Sequence, residues 1–109
     1  MTDKRLADRV VALGVGKFRP AINEHGIHVR SYDMYQINHS ELSVEKFVRD
    51  WRVAGALMER AQSAGIEIIV LRNGVQIAHP KWSGYEWSGD ESLPRAIVEA
   101  CVEAEEPVD

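Results

Sequence analysis

Ile66-Glu67-Ile68-Ile69-Val70-Leu71-Arg72-Asn73-Gly74-Val75-Gln76-Ile77-Ala78 decides the fold. Its first half is rich in β-branched residues, which pack well on a pleated surface, and suits a central strand. Asn73-Gly74 then offers two positions that tolerate positive φ, as a two-residue hairpin requires. Residues 75–78 return as the partner strand, and Pro80, with no N–H to give the ladder, stops it. Two strands alone cannot shield an apolar face, so helices must cover them.

Those helices are legible on both sides. Downstream, Leu93, Ile97, Ala100, Cys101 and Ala104 recur at helical spacing, which predicts a helix over about 92–104. Pro94 falls in its first turn, where a missing N–H costs nothing. Upstream, Ser43 can cap a helix and Glu45 sits in its first turn. Val44, Phe47, Val48, Trp51, Ala54, Gly55, Met58 and Ala61 make one apolar stripe, and Gly65 ends it. The pattern predicts one helix of about 20 residues, roughly 30 Å long. Gly55 inside it costs about 1 kcal/mol against alanine, which predicts a close approach by another element. At the front, Leu6, Val10 and Leu13 give a helix over about 3–13, capped by Thr2 and ended by Gly14.

Residues 18–42 carry the weakest pattern. Ile27-His28-Val29-Arg30-Ser31-Tyr32 alternates like a half-buried strand after a turn at Asn23-Glu24-His25-Gly26. Asp33-Met34-Tyr35-Gln36-Ile37 either extends it or bends away. Tyr85-Glu86-Trp87 can add a short third strand to the hairpin. The order of helix, strand, long helix, hairpin and helix predicts an α+β fold. It is an α/β sandwich with about three helices packed on a small, mainly antiparallel sheet. The 109 residues suit a single domain, 1–109, whose residues 102–109 read as a frayed acidic tail.

Composition narrows the function classes. Apolar residues make up 45% and charged residues 28%, ordinary for a soluble globular protein. One cysteine, Cys101, forbids an internal disulfide and fits a reducing cytosol. No signal-peptide pattern opens the chain, and no apolar run approaches the roughly 20 residues that span a bilayer. No membrane partner is expected. The net charge of −4 argues against nucleic acid as the main partner. Residues 1–60 hold 10 basic and 8 acidic side chains, and residues 61–109 hold 3 and 9. The acidic second half is too weakly charged to favour a nucleic-acid mimic over a solvated helix end.

Catalytic patterns are missing. Gly14-Val15-Gly16-Lys17 lacks the first glycine of a phosphate loop, and Phe18 stands where a magnesium-binding hydroxyl belongs. His25, His28, His39 and His79 have no ligand spacing with cysteine or carboxylate, so no metal and no cofactor is expected. Cys101 lies on an apolar helix face, where cysteine packs as a small hydrophobe. Asp33, Asp50 and Asp90 sit in separate elements, and no serine-hydrolase elbow occurs. No enzymatic activity is expected.

The aromatic segment Trp82-Ser83-Gly84-Tyr85-Glu86-Trp87 stands out instead. Tyr85 and Trp87 are two apart, so they share a face of an extended segment. That face is either core or, with Trp82, an aromatic anchor cluster rimmed by Lys81 and Glu86. Tyr32, Met34 and Tyr35 form a second candidate, suited if exposed to a protein or a small ligand. Stacking aromatics with Arg30, Arg72 or Arg95 can supply a site for a nucleotide or signal molecule.

Three stretches together resemble small phage and prophage proteins of the phage ABA sandwich domain family. They are Leu6-Ala7-Asp8-Arg9-Val10-Val11-Ala12-Leu13-Gly14-Val15-Gly16, Phe47-Val48-Arg49-Asp50-Trp51-Arg52-Val53-Ala54-Gly55-Ala56-Leu57-Met58-Glu59 and Glu91-Ser92-Leu93-Pro94-Arg95-Ala96-Ile97-Val98-Glu99-Ala100. The resemblance covers about half of the chain. It implies an α/β sandwich and a phage-encoded protein in the host cytoplasm. It transfers no catalytic residue. The expectation is an accessory protein that binds and inhibits a host or anti-phage defence protein. The alternative is a protein that binds and sequesters a nucleotide or signal molecule. Oligomeric state stays open: the stripe on the long helix is wide enough for Trp51 and Leu57 to serve a homodimer as well as the core.

Overall fold

The computed structural model describes residues 1–14, 18–20, 34–37, 40–72, 74–78, 85–88 and 92–105. Along the chain they form α1 (Asp3–Ala12), β1 (Phe18–Pro20), β2 (Met34–Ile37), β3 (Ser40–Ser43), α2 (Val44–Val48) and α3 (Trp51–Ser63). β4 (Glu67–Leu71), β5 (Gly74–Ala78), β6 (Tyr85–Ser88) and α4 (Leu93–Glu105) follow. The fold is α+β, with helices packed on small antiparallel sheets. There are four helices and two three-stranded sheets among the described residues, ordered β1-β2-β3 and β4-β5-β6. The first sheet falls in the region of weakest sequence pattern. The alternating stretch 27–32 lies outside the described residues, and the register begins at Met34, opposite Ser43.

α4 is the centre of the molecule. It touches α1, α2 and α3 as well as all three strands of the second sheet. Ala96, Ile97, Val98, Ala100, Cys101, Val102 and Ala104 are all buried, so this helix is apolar on more than one face. Each large side chain buried in this way contributes about 1.5–3 kcal/mol. Residues 102–105, expected in a frayed tail, are therefore part of α4. Val102 and Ala104 pack in the core, and Glu105 accepts a hydrogen bond from Arg60 Nε at 3.1 Å. Residues 106–109 lie outside the described residues.

The hairpin forms, with two differences. Leu71 pairs with Gly74, so the connection is residues 72–73 and Gly74 is the first residue of β5. The strand placed at the centre of the sheet is β5, which pairs on both sides, whereas β4 stands at the edge. Burial follows pairing: Val75 and Ile77 are fully buried, while β4 exposes 43% of Val70.

The expected long helix is two helices. Backbone at Asp50 leaves the helical region (ψ 131°), and its carboxylate accepts from Arg52 N at 2.8 Å. The Arg52 guanidinium returns to both carboxylate oxygens, at 3.0 and 2.9 Å. This cap restarts the helix in a new phase, so Val53, Ala54, Leu57 and Ala61 face the core. Trp51 turns outward and is 60% exposed, and Gly55 is exposed as well. The close approach expected at Gly55 is absent: a Cβ built there meets nothing within 4 Å. Elsewhere the caps agree with the sequence. Thr2 and Ser43 accept from Arg5 N and Lys46 N, and Gly14 and Gly65 take positive φ of 69° and 79°.

Candidate functional site

A groove of about 590 Å³ runs along the seam between α3 and the outer strand β4. Gly55, Met58, Glu59 and Gln62 line it from the helix, at spacings that share one face. Ile66, just before β4, and Glu67, Ile68 and Ile69 of the strand line the other wall. The tight turn at Gly65 joins the two walls, because its positive φ lets the chain reverse directly from helix into strand. Trp51, one helical turn before Gly55, is exposed, and so is Val70, which follows Ile69 in β4. Among the described residues, no strand pairs with the outer edge of β4, and neither Glu59 nor Glu67 is in an ion pair.

The structure redistributes the sequence candidates. Tyr35 is not an exposed aromatic: it is 0% accessible. Its ring stacks on Phe47 with centroids 4.8 Å apart, and Phe47 in turn meets Phe18 edge-on at 5.7 Å. The Tyr35 hydroxyl donates to Asp8 Oδ1 at 2.5 Å and accepts from Lys4 Nζ at 2.7 Å. Burial, then the Asp8 hydrogen bond, push its phenol pKa above the ordinary value. Tyr35 is thus a core residue whose polar end is satisfied by α1. Tyr32, Lys81 and Trp82 lie outside the described residues.

Tyr85, Glu86 and Trp87 do form the third strand, β6. Tyr85 stands opposite Ala78, Glu86 opposite the buried Ile77, and Trp87 opposite Gln76. Tyr85 and Trp87 therefore occupy the ladder positions that alternate with the buried row of β5. The placement of their side chains lies outside the described residues.

Of the candidate arginines, Arg72 and Arg95 lie among the described residues. Arg95 is buried, and its Nε donates to Asp3 Oδ1 at 2.7 Å. Its other nitrogens donate to the Met1 carbonyl at 2.7 Å and to Glu99 Oε2. Arg49 holds the second oxygen of Asp3 at 2.9 Å. Arg72 follows β4 on the surface, and Arg30 lies outside the described residues. The acidic second half is partly committed to internal pairs, Glu99 with Arg95 and Glu105 with Arg60. Leu57, offered as a dimer contact, is 1% exposed and belongs to the core.

Cys101 is buried, and burial, then the charge of Glu105, push its thiol up to about 12. It stays a protonated thiol at neutral pH and cannot serve as a nucleophile. A thiol reagent such as Ellman's reagent is expected to leave the native protein unlabelled at pH 8 and to label it fully in guanidinium. Rapid labelling of the native state would show that the thiol is accessible. All four histidines lie outside the described residues, among which no group of three metal-ligating side chains occurs. No helix among the described residues is long and apolar enough to cross a membrane.

The groove residues were not singled out by sequence, although one signal was present. A glycine inside a helix needs a reason, and at Gly55 the reason is neither packing nor φ. Comparison of the chain with protein-family models, with curated proteins and with solved structures finds no match.

Proposed function

We propose that this chain is a non-catalytic, phage-encoded accessory protein that acts by binding a host or anti-phage defence protein and blocking it. The observation that carries the binding reading is the groove between α3 and β4. It combines a strand edge with no partner among the described residues and a helix glycine facing open space, with the exposed Trp51 one helical turn away. An open apolar edge is a hazard that proteins normally cover or charge, so its retention suits a surface used for recognition. Phage origin and inhibition of a host or defence component rest on the resemblance of the three stretches quoted above. The groove opposes the alternative of nucleotide sequestration, since its charged lining residues are the carboxylates Glu59 and Glu67.

Affinity capture from lysates of candidate bacterial hosts tests the proposal, with wild type run beside a folded Trp51→Ala/Gly55→Leu variant. The expected outcome is a host protein enriched at least about tenfold by wild type over the variant, as loss of a central anchor produces. Equal enrichment by both proteins would remove the groove from the reading. Thermal stabilisation of wild type by a nucleotide, with no protein captured, would replace the proposal by sequestration.

A further inference from the structure

The seam between α3 and β4 holds three features that the fold itself does not use. The outer edge of β4 has no strand partner among the described residues, so alternate N–H and C=O groups point outward. Gly55 opens depth in the facing helix, because a Cβ there would meet nothing within 4 Å beyond its own stretch of helix. Glu59 and Glu67 put two carboxylates without ion-pair partners among the described residues on a lining that contains no basic side chain.

We infer that the groove takes an extended peptide segment of a partner protein, added as a strand along β4, in which basic side chains alternate with apolar ones. This rests on the protein-binding reading above and names the chemistry of the partner. Strand addition satisfies the outward backbone groups of β4, and alternate side chains of the added strand turn to opposite faces. Apolar side chains match Met58 and Ile68 on one face, where the missing side chain of Gly55 gives them room. Basic ones turn to the opposite face of β4, that of Glu67, and Glu59 adds negative charge to the lining. The same carboxylates disfavour a second copy of this chain, because a two-fold pairing of β4 edges brings both acidic pairs into one interface. They disfavour an anionic ligand as well.

The test is an NMR titration of the isotope-labelled full chain with two end-blocked five-residue peptides. One alternates lysine with valine and the other glutamate with valine. The lysine peptide is expected to shift amides of α3 and β4 and to bind at least tenfold more tightly than the glutamate peptide. Gly55→Leu should abolish the shifts while keeping the native spectrum. Glu59→Lys/Glu67→Lys should reverse the preference. Gly55→Ala serves as a fold control, with Tm raised by roughly 4–8 °C because alanine favours helix. Equal affinity for both peptides, shifts confined to other elements, or no shift at all would overturn the inference. So would concentration-dependent shifts at β4 without peptide, which would make the occupant a second copy. If the groove variant loses a captured host protein yet neither peptide binds, the peptide chemistry fails and the protein-binding reading stands. If the lysine peptide binds at the groove but no host protein is captured, the reverse holds.

Discussion

Tyr35→Ala is expected to lower stability by about 3–5 kcal/mol, the cost of deleting a fully buried aromatic ring. For a chain of 109 residues the fall in Tm is at least about 12 °C. The ring is 0% accessible and stacks on Phe47, which meets Phe18 edge-on, so the deletion leaves a void at the centre of an aromatic cluster. It also breaks the tie between β2 and α1, since Tyr35 joins Asp8 and Lys4 through its hydroxyl. Tyr35→Phe separates the two contributions. It keeps the stack and removes one hydroxyl, at about 1 kcal/mol. The cost stays small because Asp8 and Lys4 remain 3.3 Å apart at the surface and can pair with each other. Urea denaturation followed by circular dichroism measures both variants. A Tyr35→Ala protein of wild-type stability that no longer captures its partner would return Tyr35 to the role of an exposed anchor.

Tyr35 illustrates what one sequence can and cannot disclose. Its spacing from Met34 and Ile37 allows a strand, but a strand of period two has two faces, and only the partner elements say which is buried. Here Phe47 of α2 decides, from 12 positions away in the chain. Local signals are decisive where a single residue type has a single backbone use. Thr2 and Ser43 at helix starts, and Gly14 and Gly65 at helix ends, stand where their chemistry places them. Asp50 is ambiguous for the opposite reason. Between Arg49 and Trp51 it reads equally as the polar side of a continuing helix or as a new cap, and the apolar stripe runs straight through it. A continuing helix would turn Trp51 and Gly55 toward the core, and the groove would not form. Pairing order was equally silent in the sequence. β4 is more β-branched than β5, yet β5 takes the centre because the chain after β5 supplies a second partner, β6. The groove was thus implied by one unexplained glycine and required the phase of α3 and the edge position of β4 to become visible.

Arg95→Met is expected to cost about 3 kcal/mol at pH 7, the lower end for breaking a buried ion pair. The lower end applies because Asp3 and Glu99 keep 23% and 18% of their side-chain surface in water. Arg95 presents its donors in a planar fork to three acceptors: Asp3, Glu99 and the Met1 carbonyl. A lysine cannot span them from one nitrogen, so Arg95→Lys should recover less than half of the loss. Acid provides a second signature. Burial alone would raise the Asp3 carboxyl, but hydrogen bonds and charge from Arg49 and Arg95 outweigh it and hold Asp3 below the usual carboxylate range. A carboxylate with a depressed folded pKa stabilises the protein above its unfolded value of 3.8, and that contribution is lost as pH falls through the folded value. The gap between wild type and Arg95→Met should therefore be full at pH 7 and narrow below the ordinary carboxylate pKa, as Asp3 takes up its proton. Urea unfolding of both proteins across that range reads the gap directly. A gap that stays constant down to pH 2 would mean that Arg95 stabilises α1 against α4 through packing and the Met1 carbonyl, not through its charge on Asp3.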